Sequence, residues 1–207
     1  MPTPTPKPTV VRMAALAPRR WANGAGWTRE IHREPEADAP ELTAWRLSLA
    51  DIEETGPFSS FPGLDRHLML ASEGPLRLTV EGTAHDLRHT QVLSFAGDAE
   101  VATSALEGRA RALNLMVRGG TPGGLDVVRG DGRPSVPAGT VALVVLDGHV
   151  SYEGQRLERF DTVLTRAPHR ADADIPPDLR ALDLREATVA RAHVGTPADS
   201  EAPALTP

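Results

Sequence analysis

Short apolar runs that alternate residue by residue, each closed by glycine, proline or an acidic turn, constrain this chain more than any other feature. A period of two sends successive side chains to opposite faces of an extended strand. Few segments sustain the 3.6-residue period of an amphipathic helix, so the pattern is that of an all-β sandwich or barrel. Residues 27–32 alternate, as do 44–50, where Trp45, Leu47 and Leu49 share one face and Arg46 and Ser48 the other. Residues 66–70 form a further strand. Leu76, Leu78 and Val80 alternate with Arg77 and Thr79, then Glu81-Gly82 turns the chain, with a return strand expected around 91–95. Leu113, Leu115 and Val117 alternate with Asn114 and Met116. A short helical turn is predicted over 51–55 and a tight turn over 62–66.

The strand rhythm repeats. Residues 76–95 read strand, Glu81-Gly82 turn, strand, closing apolar run; residues 141–165 repeat the plan with Asp147-Gly148 at the turn and Val163-Leu164 in the closing run. Two similar β lobes are expected, residues 10–120 and 121–194, joined by a hinge or hairpin in the glycine-rich stretch 119–124. Residues 168–177 read as a polar loop before a last strand or two over 179–194. The segments 1–9 and 195–207 are rich in Pro, Thr, Ala and Ser. They carry too little apolar surface to offset their ordering entropy, and disordered tails are expected there.

Composition removes several functions. The chain has no cysteine, which excludes disulfides, thiolate chemistry and cysteine zinc sites. Its net charge is −6 with no basic stripe, which disfavours nucleic acid as a partner, because phosphate contacts need clustered Lys and Arg. No apolar run approaches the ~20 residues of a spanning helix, so no membrane partner is expected. The opening Thr/Pro stretch lacks the apolar core of a secretory signal, and a cytoplasmic location is expected. Lys7 is the only lysine among 22 basic residues, the mark of a GC-rich coding bias rather than of function.

One constellation stands out. A strand of a half-barrel puts one face in the core and the other toward solvent or a cavity. On 45–50 the apolar set should pack between sheets, leaving Arg46 and Ser48 at the barrel mouth. Thr28 and Glu30 alternate with Trp27, Arg29 and Ile31 and can share that mouth; Asn114 alternates with two leucines and can join it. With Arg66, this assembles two guanidinium groups, a carboxylate, two hydroxyls and an amide. Arginine grips carboxylates in bidentate, charge-assisted pairs, so the set suits a small dicarboxylate or amino-acid derivative. Structural readings stand beside these. Trp21, Trp27 and Trp45 can be packing, Gly24 and Gly26 turn glycines, and Asp65 a turn cap. Arg46 and Glu30 can pair across strands, and Asn114 can satisfy buried backbone groups.

Three ordered segments carry a resemblance. They are Trp21-Ala22-Asn23-Gly24-Ala25-Gly26-Trp27-Thr28-Arg29-Glu30-Ile31; Trp45 to Ile52 running on to Gly56-Pro57-Phe58-Ser59-Ser60-Phe61-Pro62-Gly63-Leu64-Asp65-Arg66; and Gly97-Asp98 followed by Leu113-Asn114-Leu115-Met116. Across residues 21–118 they resemble the HutD/Ves family, with Ala25 where the family has glycine. The resemblance implies a bicupin-like fold of two small antiparallel β-barrel or jelly-roll lobes, with a pocket in the first. It also implies an association with histidine utilisation, and regulation by binding an intermediate such as formylglutamate or urocanate. Asn23 and Phe61, inside the first two segments, complete the candidate ligand-binding set of Thr28, Glu30, Arg46, Ser48, Arg66 and Asn114.

Metal-binding cupins carry His-x-His followed by Glu and a later His, so that ligands converge from neighbouring strands. None of the seven histidines here forms such a pair, so no metal and no cofactor are expected. There is no Gly-x-Ser-x-Gly elbow or phosphate-binding loop, and Gly24-Ala25-Gly26 lacks the third glycine and the strand–helix setting of a dinucleotide fingerprint. The leading expectation is a ligand-binding regulatory protein. A metal-free enzyme with Glu30 as base and Arg46 as anchor is the alternative, and a partner-docking domain with a large exposed apolar patch is the third. The assembly stays open between a monomer and a homodimer.

Overall fold

The computed structural model describes residues 8–134, 136–137, 139–165 and 181–195. Among these the backbone forms one 3-10 turn, Met13–Ala15, and sixteen strands with no α-helix. In chain order they are β1 (Thr9–Val11), β2 (Arg19–Arg20), β3 (Gly26–Pro35), β4 (Thr43–Ile52), β5 (Gly56–Pro57), β6 (Leu64–Leu70), β7 (Leu76–Val80) and β8 (Thr83–Leu87). They continue with β9 (Val92–Ala96), β10 (Val101–Leu106), β11 (Ala110–Arg118), β12 (Gly123–Gly132), β13 (Thr140–Tyr152), β14 (Gln155–Leu157), β15 (Thr162–Leu164) and β16 (Leu182–Val194).

These strands make three open antiparallel sheets in a bicupin-like arrangement rather than closed barrels. The first lobe pairs the sheet β2-β3-β4-β11-β6-β9 with the smaller sheet β5-β10-β7-β8; the second lobe is built on β1-β15-β13-β16-β12, with β14 hairpinned to β13. The alternation in the sequence sets what each sheet face touches. On β4, Trp45, Leu47 and Leu49 join Leu113, Leu115 and Val117 of β11 in the main core, against Ala142, Val144, Leu146 and Ala190 of the second lobe. The alternate residues face inward within the first lobe. There Ile52, Leu68, Leu70 and Ala112 meet Leu76, Leu78 and Leu87 of the smaller sheet. A third cluster, from Leu143 and Val145 to Leu184 and Val189, fills the far side of the second-lobe sheet. Each fully buried leucine contributes about 1.5–3 kcal/mol of transfer free energy, so the repeated Leu-x-Leu patterns of β4, β6 and β11 dominate the fold's stability.

The internal repeat is present in finer form than the sequence indicates. Glu81 and Gly82 (φ 47 and 76) turn β7 into β8, and Glu153 and Gly154 (φ 49 and 76) turn β13 into β14. Two positive φ values in a two-residue connection match the right-handed twist of a hairpin. A second turn follows in each lobe. Gln91 N donates to Arg88 O and Thr90 (φ 69) donates to Leu70 O at 2.7 Å; Asp161 N donates to Glu158 O and Phe160 (φ 69) donates to Val145 O at 2.7 Å.

Several local expectations are corrected. The turn matching Glu81-Gly82 is Glu153-Gly154. Asp147-Gly148 is instead a bulge inside β13, where Gly148 (φ +82) passes so close to the Glu186 carbonyl that a Cβ would lie 2.3 Å from it. The return strand after Glu81-Gly82 is β8, whose polar composition hides its alternation; the run near 91–95 is β9, which crosses to pair with β6 in the other sheet. No helical turn forms over 51–55. Asp51 and Ile52 continue β4 in register with β11, and the amides of Glu53 and Glu54 both donate to Ala25 O. The stretch 119–124 is not a hairpin between paired strands, because β11 and β12 lie in different sheets and Gly123-Gly124 already belong to β12. Over 182–194 there is one long strand. Thr9 lies in β1, paired with Leu164, and so belongs to the second lobe's sheet rather than to a tail. The remainder of the expected tails, at 1–7 and 196–207, and the polar loop at 168–177 fall outside the described residues.

Candidate functional site

The inward face of the first lobe changes character along its strands. At one end it is aliphatic. At the other, β4, β6 and β11 turn Arg46, Ser48, Arg66, Asn114 and Met116 toward a cavity of about 410 Å³. The register places them in two rows. Arg46, Met116 and Arg66 are cross-strand neighbours, and Ser48, Asn114 and Leu68 form the next row. On β3, Glu30 pairs with Ser48 and Thr28 with Ala50, before a bulge at Ile31 returns that residue to the main core. Trp21 closes one wall, its indole N–H donating to the Thr28 hydroxyl at 2.8 Å, and Phe58 meets its ring edge-on.

Arg66 is the centre of this arrangement. It is 6% exposed, and its Nε and Nη2 both donate to Oδ1 of Asn114, at 2.9 and 2.8 Å. Asn114, 2% exposed, donates its own Nδ2 to the Ala112 carbonyl, which fixes the amide with its oxygen toward the guanidinium. The rings of Phe58 and Phe95 lie 4.7 and 5.5 Å from the guanidinium carbon. Such cation–π contacts hold a charge without neutralising it. No carboxylate among the described residues pairs with Arg66. Burial first, and the charge of Arg46 second, push its pKa down to about 9. A guanidinium is therefore held charged at neutral pH where its solvation is poorest. Arg46, by contrast, has an answer to its charge: its Nε donates to Glu30 Oε2 at 2.7 Å, in a pair that opens toward solvent. The cross-strand reading of Glu30 and Arg46 is thus realised, although both still line the cavity.

Of the eight residues singled out from the sequence, Thr28, Glu30, Arg46, Ser48, Phe61, Arg66 and Asn114 come together around this one cavity. Asn23 does not. Its amide closes the loop instead, with Oδ1 accepting from Ala25 N and Nδ2 donating to Pro57 O. Asp65 caps the turn after β11, accepting from Gly120 N. Sequence reasoning missed Phe58 and Phe95 as the aromatic bed of Arg66. No local period marked either: Phe58 lies in the loop after β5, and Phe95 meets Arg66 only through the pairing of β9 with β6. Arg20 at the rim was also missed, being adjacent to no alternating run. Among the described residues no group of three or more His, Asp or Glu side chains is placed to hold a metal ion, and no helix is long and apolar enough to cross a membrane.

Comparison with known proteins follows the same lines. The HutD family model matches residues 13–182. A Pseudomonas putida relative, described as an uncharacterized 21.2 kDa protein in the hutC 3′ region, is 34% identical over 147 residues, 68% of this chain and 75% of that protein. Protein Ves of Citrobacter koseri is 41% identical over 100 residues, 47% of this chain and 51% of its own length. The structure of HutD from Pseudomonas fluorescens SBW25, solved in a formate condition, is similar at a TM-score of 0.72 and 27% identity, covering 91% of this chain and all of that one. The Escherichia coli protein YlbA shares the fold alone, at a TM-score of 0.68 and 10% identity.

Proposed function

The chain belongs to the HutD family, and from that premise we propose that its first-lobe cavity binds a small carboxylate and that binding serves a regulatory role in histidine catabolism. The observation that carries the reading is Arg66, a buried cation at the cavity wall whose only polar partner among the described residues is a neutral amide. Burying a guanidinium without a counter-charge is costly, and an incoming carboxylate would remove that cost while making bidentate, charge-assisted bonds. The cavity volume suits a metabolite rather than a polymer. Family membership supports the association with histidine utilisation, and formylglutamate and urocanate are carboxylates of fitting size. Ser48, Thr28 and the Arg46–Glu30 pair would read the remainder of the ligand. Leu42 is the one large apolar side chain exposed among the described residues, which offers little to a docking-domain reading.

Titration calorimetry against formylglutamate, urocanate and glutamate tests the proposal. At least one should bind, and Arg66→Met should weaken it by about 30-fold or more, as truncating a buried charge partner does. The fold of the variant should be intact, since an unpaired buried cation is replaced by an apolar chain of similar reach. Absence of heat with all three ligands, or unchanged affinity in Arg66→Met, would refute it.

A further inference from the structure

The strands that line the first cavity present their opposite faces to a second one. A groove of about 550 Å³ opens where the outer face of the first lobe's large sheet meets the second lobe, with Trp27 and Arg29 of β3, Asp51 of β4 and Arg111 of β11 on one side and Arg159 on the other. We propose that this groove is a second anion site, taking a phosphate-class dianion that bridges the two lobes.

The charge balance points that way. In a chain of net charge −6, the groove gathers four arginines against two carboxylates. Asp51 is shared: Arg29 pairs with one of its oxygens, and Arg111 Nε donates to the other at 2.6 Å. Glu53 is shared too, reaching Arg109 at 3.4 Å and Arg20 at 3.6 Å while accepting from the Trp27 indole. Each carboxylate thus answers more than one guanidinium. Arg159 pairs with no carboxylate among the described residues. Its Nη2 donates to the Ala71 carbonyl of the first lobe at 3.0 Å, and its guanidinium carbon lies 4.9 Å from the Phe160 ring. Arg111 approaches the same ring at 5.2 Å.

Backbone conformation supports a built feature. Phe160 is 2% exposed and sits at φ 69, a left-handed conformation that is uncommon for a bulky residue. Thr90 occupies the matching turn of the first lobe without an aromatic ring. The strained turn buries Phe160 under two guanidinium groups and aims Arg159 at the groove. Guanidiniums from one face of the first lobe's sheet, Arg29 and Arg111, and from the second-lobe turn, Arg159, border the groove from two sides. A tetrahedral dianion can accept from both sides at once and carries more charge than a single carboxylate.

The test is thermal melting of the full chain with inorganic phosphate against chloride at constant ionic strength. Phosphate also stabilises proteins non-specifically by exclusion from the surface, so the decisive readouts are saturation and the variants. The expected result is a saturable rise in Tm at millimolar phosphate. Arg159→Ala should abolish it, and Arg109→Ala, altering an exposed side chain, should raise the half-saturating concentration several-fold. Arg66→Met should leave it unchanged, which separates this site from the first cavity. A Tm that rises without saturating, or that rises equally in Arg159→Ala, overturns the proposal.

Discussion

At neighbouring inward positions of the first lobe's central strands stand Ser48 and Asn114, beside Arg66; stepping through the paired strands of the second lobe, the corresponding positions hold Asp126 and Arg191. Both lobes bury part of a guanidinium, but they treat its charge differently. In the second lobe Arg191 Nη2 donates to Asp126 Oδ2 at 2.7 Å, a counter-charge from the neighbouring strand. In the first, the strand that corresponds to the one bearing Asp126 supplies Ser48, and among the described residues Arg66 hydrogen-bonds to the amide of Asn114 and to no carboxylate. Elsewhere the second interior is aliphatic, filled by Leu143, Val145, Leu184 and Val189. One backbone plan therefore yields a self-neutralised, packed lobe and a lobe with a charged hollow. What distinguishes them is a handful of side chains at matching registers, as expected where function is grafted onto a repeated scaffold.

The strongest way to break this contrast is to put the first lobe's cation into the second. Val145→Arg should destabilise the fold by about 3 kcal/mol or more, because it buries a charge in the second lobe's packed aliphatic interior; the midpoint of urea denaturation measures it. Next is the amide that tolerates Arg66. Asn114→Leu should cost about 1–3 kcal/mol by leaving the guanidinium unsatisfied. That cost should largely vanish in the Arg66→Met background, a coupling visible in a double-mutant cycle. An unchanged cost there would mean Asn114 acts through the backbone alone.

A pH dependence sharpens the comparison further. With the Arg66 pKa pushed down to about 9, carboxylate affinity should be flat from pH 7 to about 9 and fall tenfold per unit above it, read by calorimetry. The smallest effect concerns the histidines that face each other across the lobes. Burial lowers the pKa of both His67 and His193, outweighing Asp65 and Asp126 respectively; Arg191 also disfavours charge on His193, and the two imidazoles disfavour each other's protonation. The native state then binds fewer protons than the unfolded chain. Stability is complete above about pH 6.5 and declines as pH falls through and below that value. Thermal melts at pH 7.5 and 5.5 should show a modest loss, reduced in His67→Gln.

The strands that carry the site were legible because β4 and the centre of β11 alternate, so Arg46, Ser48 and Asn114 could be assigned to one face before any coordinates, whereas β6 runs apolar over Leu68-Met69-Leu70 and gave Arg66 no face. The strands that were misread, β8 and the middle of β13, are those where polar composition or a glycine bulge breaks the period. Asn23 stands apart from the cavity for a different reason: a residue in a loop has no periodicity to orient it, and its amide bonds within the loop and to Pro57.

The sequence by itself determined the all-β class, the two-lobe rhythm and which face of β4 and β11 is polar, because a period of two and a few hydrophobic registers decide those locally; the family was carried by its ordered motifs. Only the tertiary structure decided which charges are answered. Glu30 reaches Arg46 and Asp126 reaches Arg191 through pairings between strands, and Arg66 is left with Asn114 across 48 residues of chain. Electrostatic balance depends on distance and burial in space, and a linear pattern of residue types carries neither.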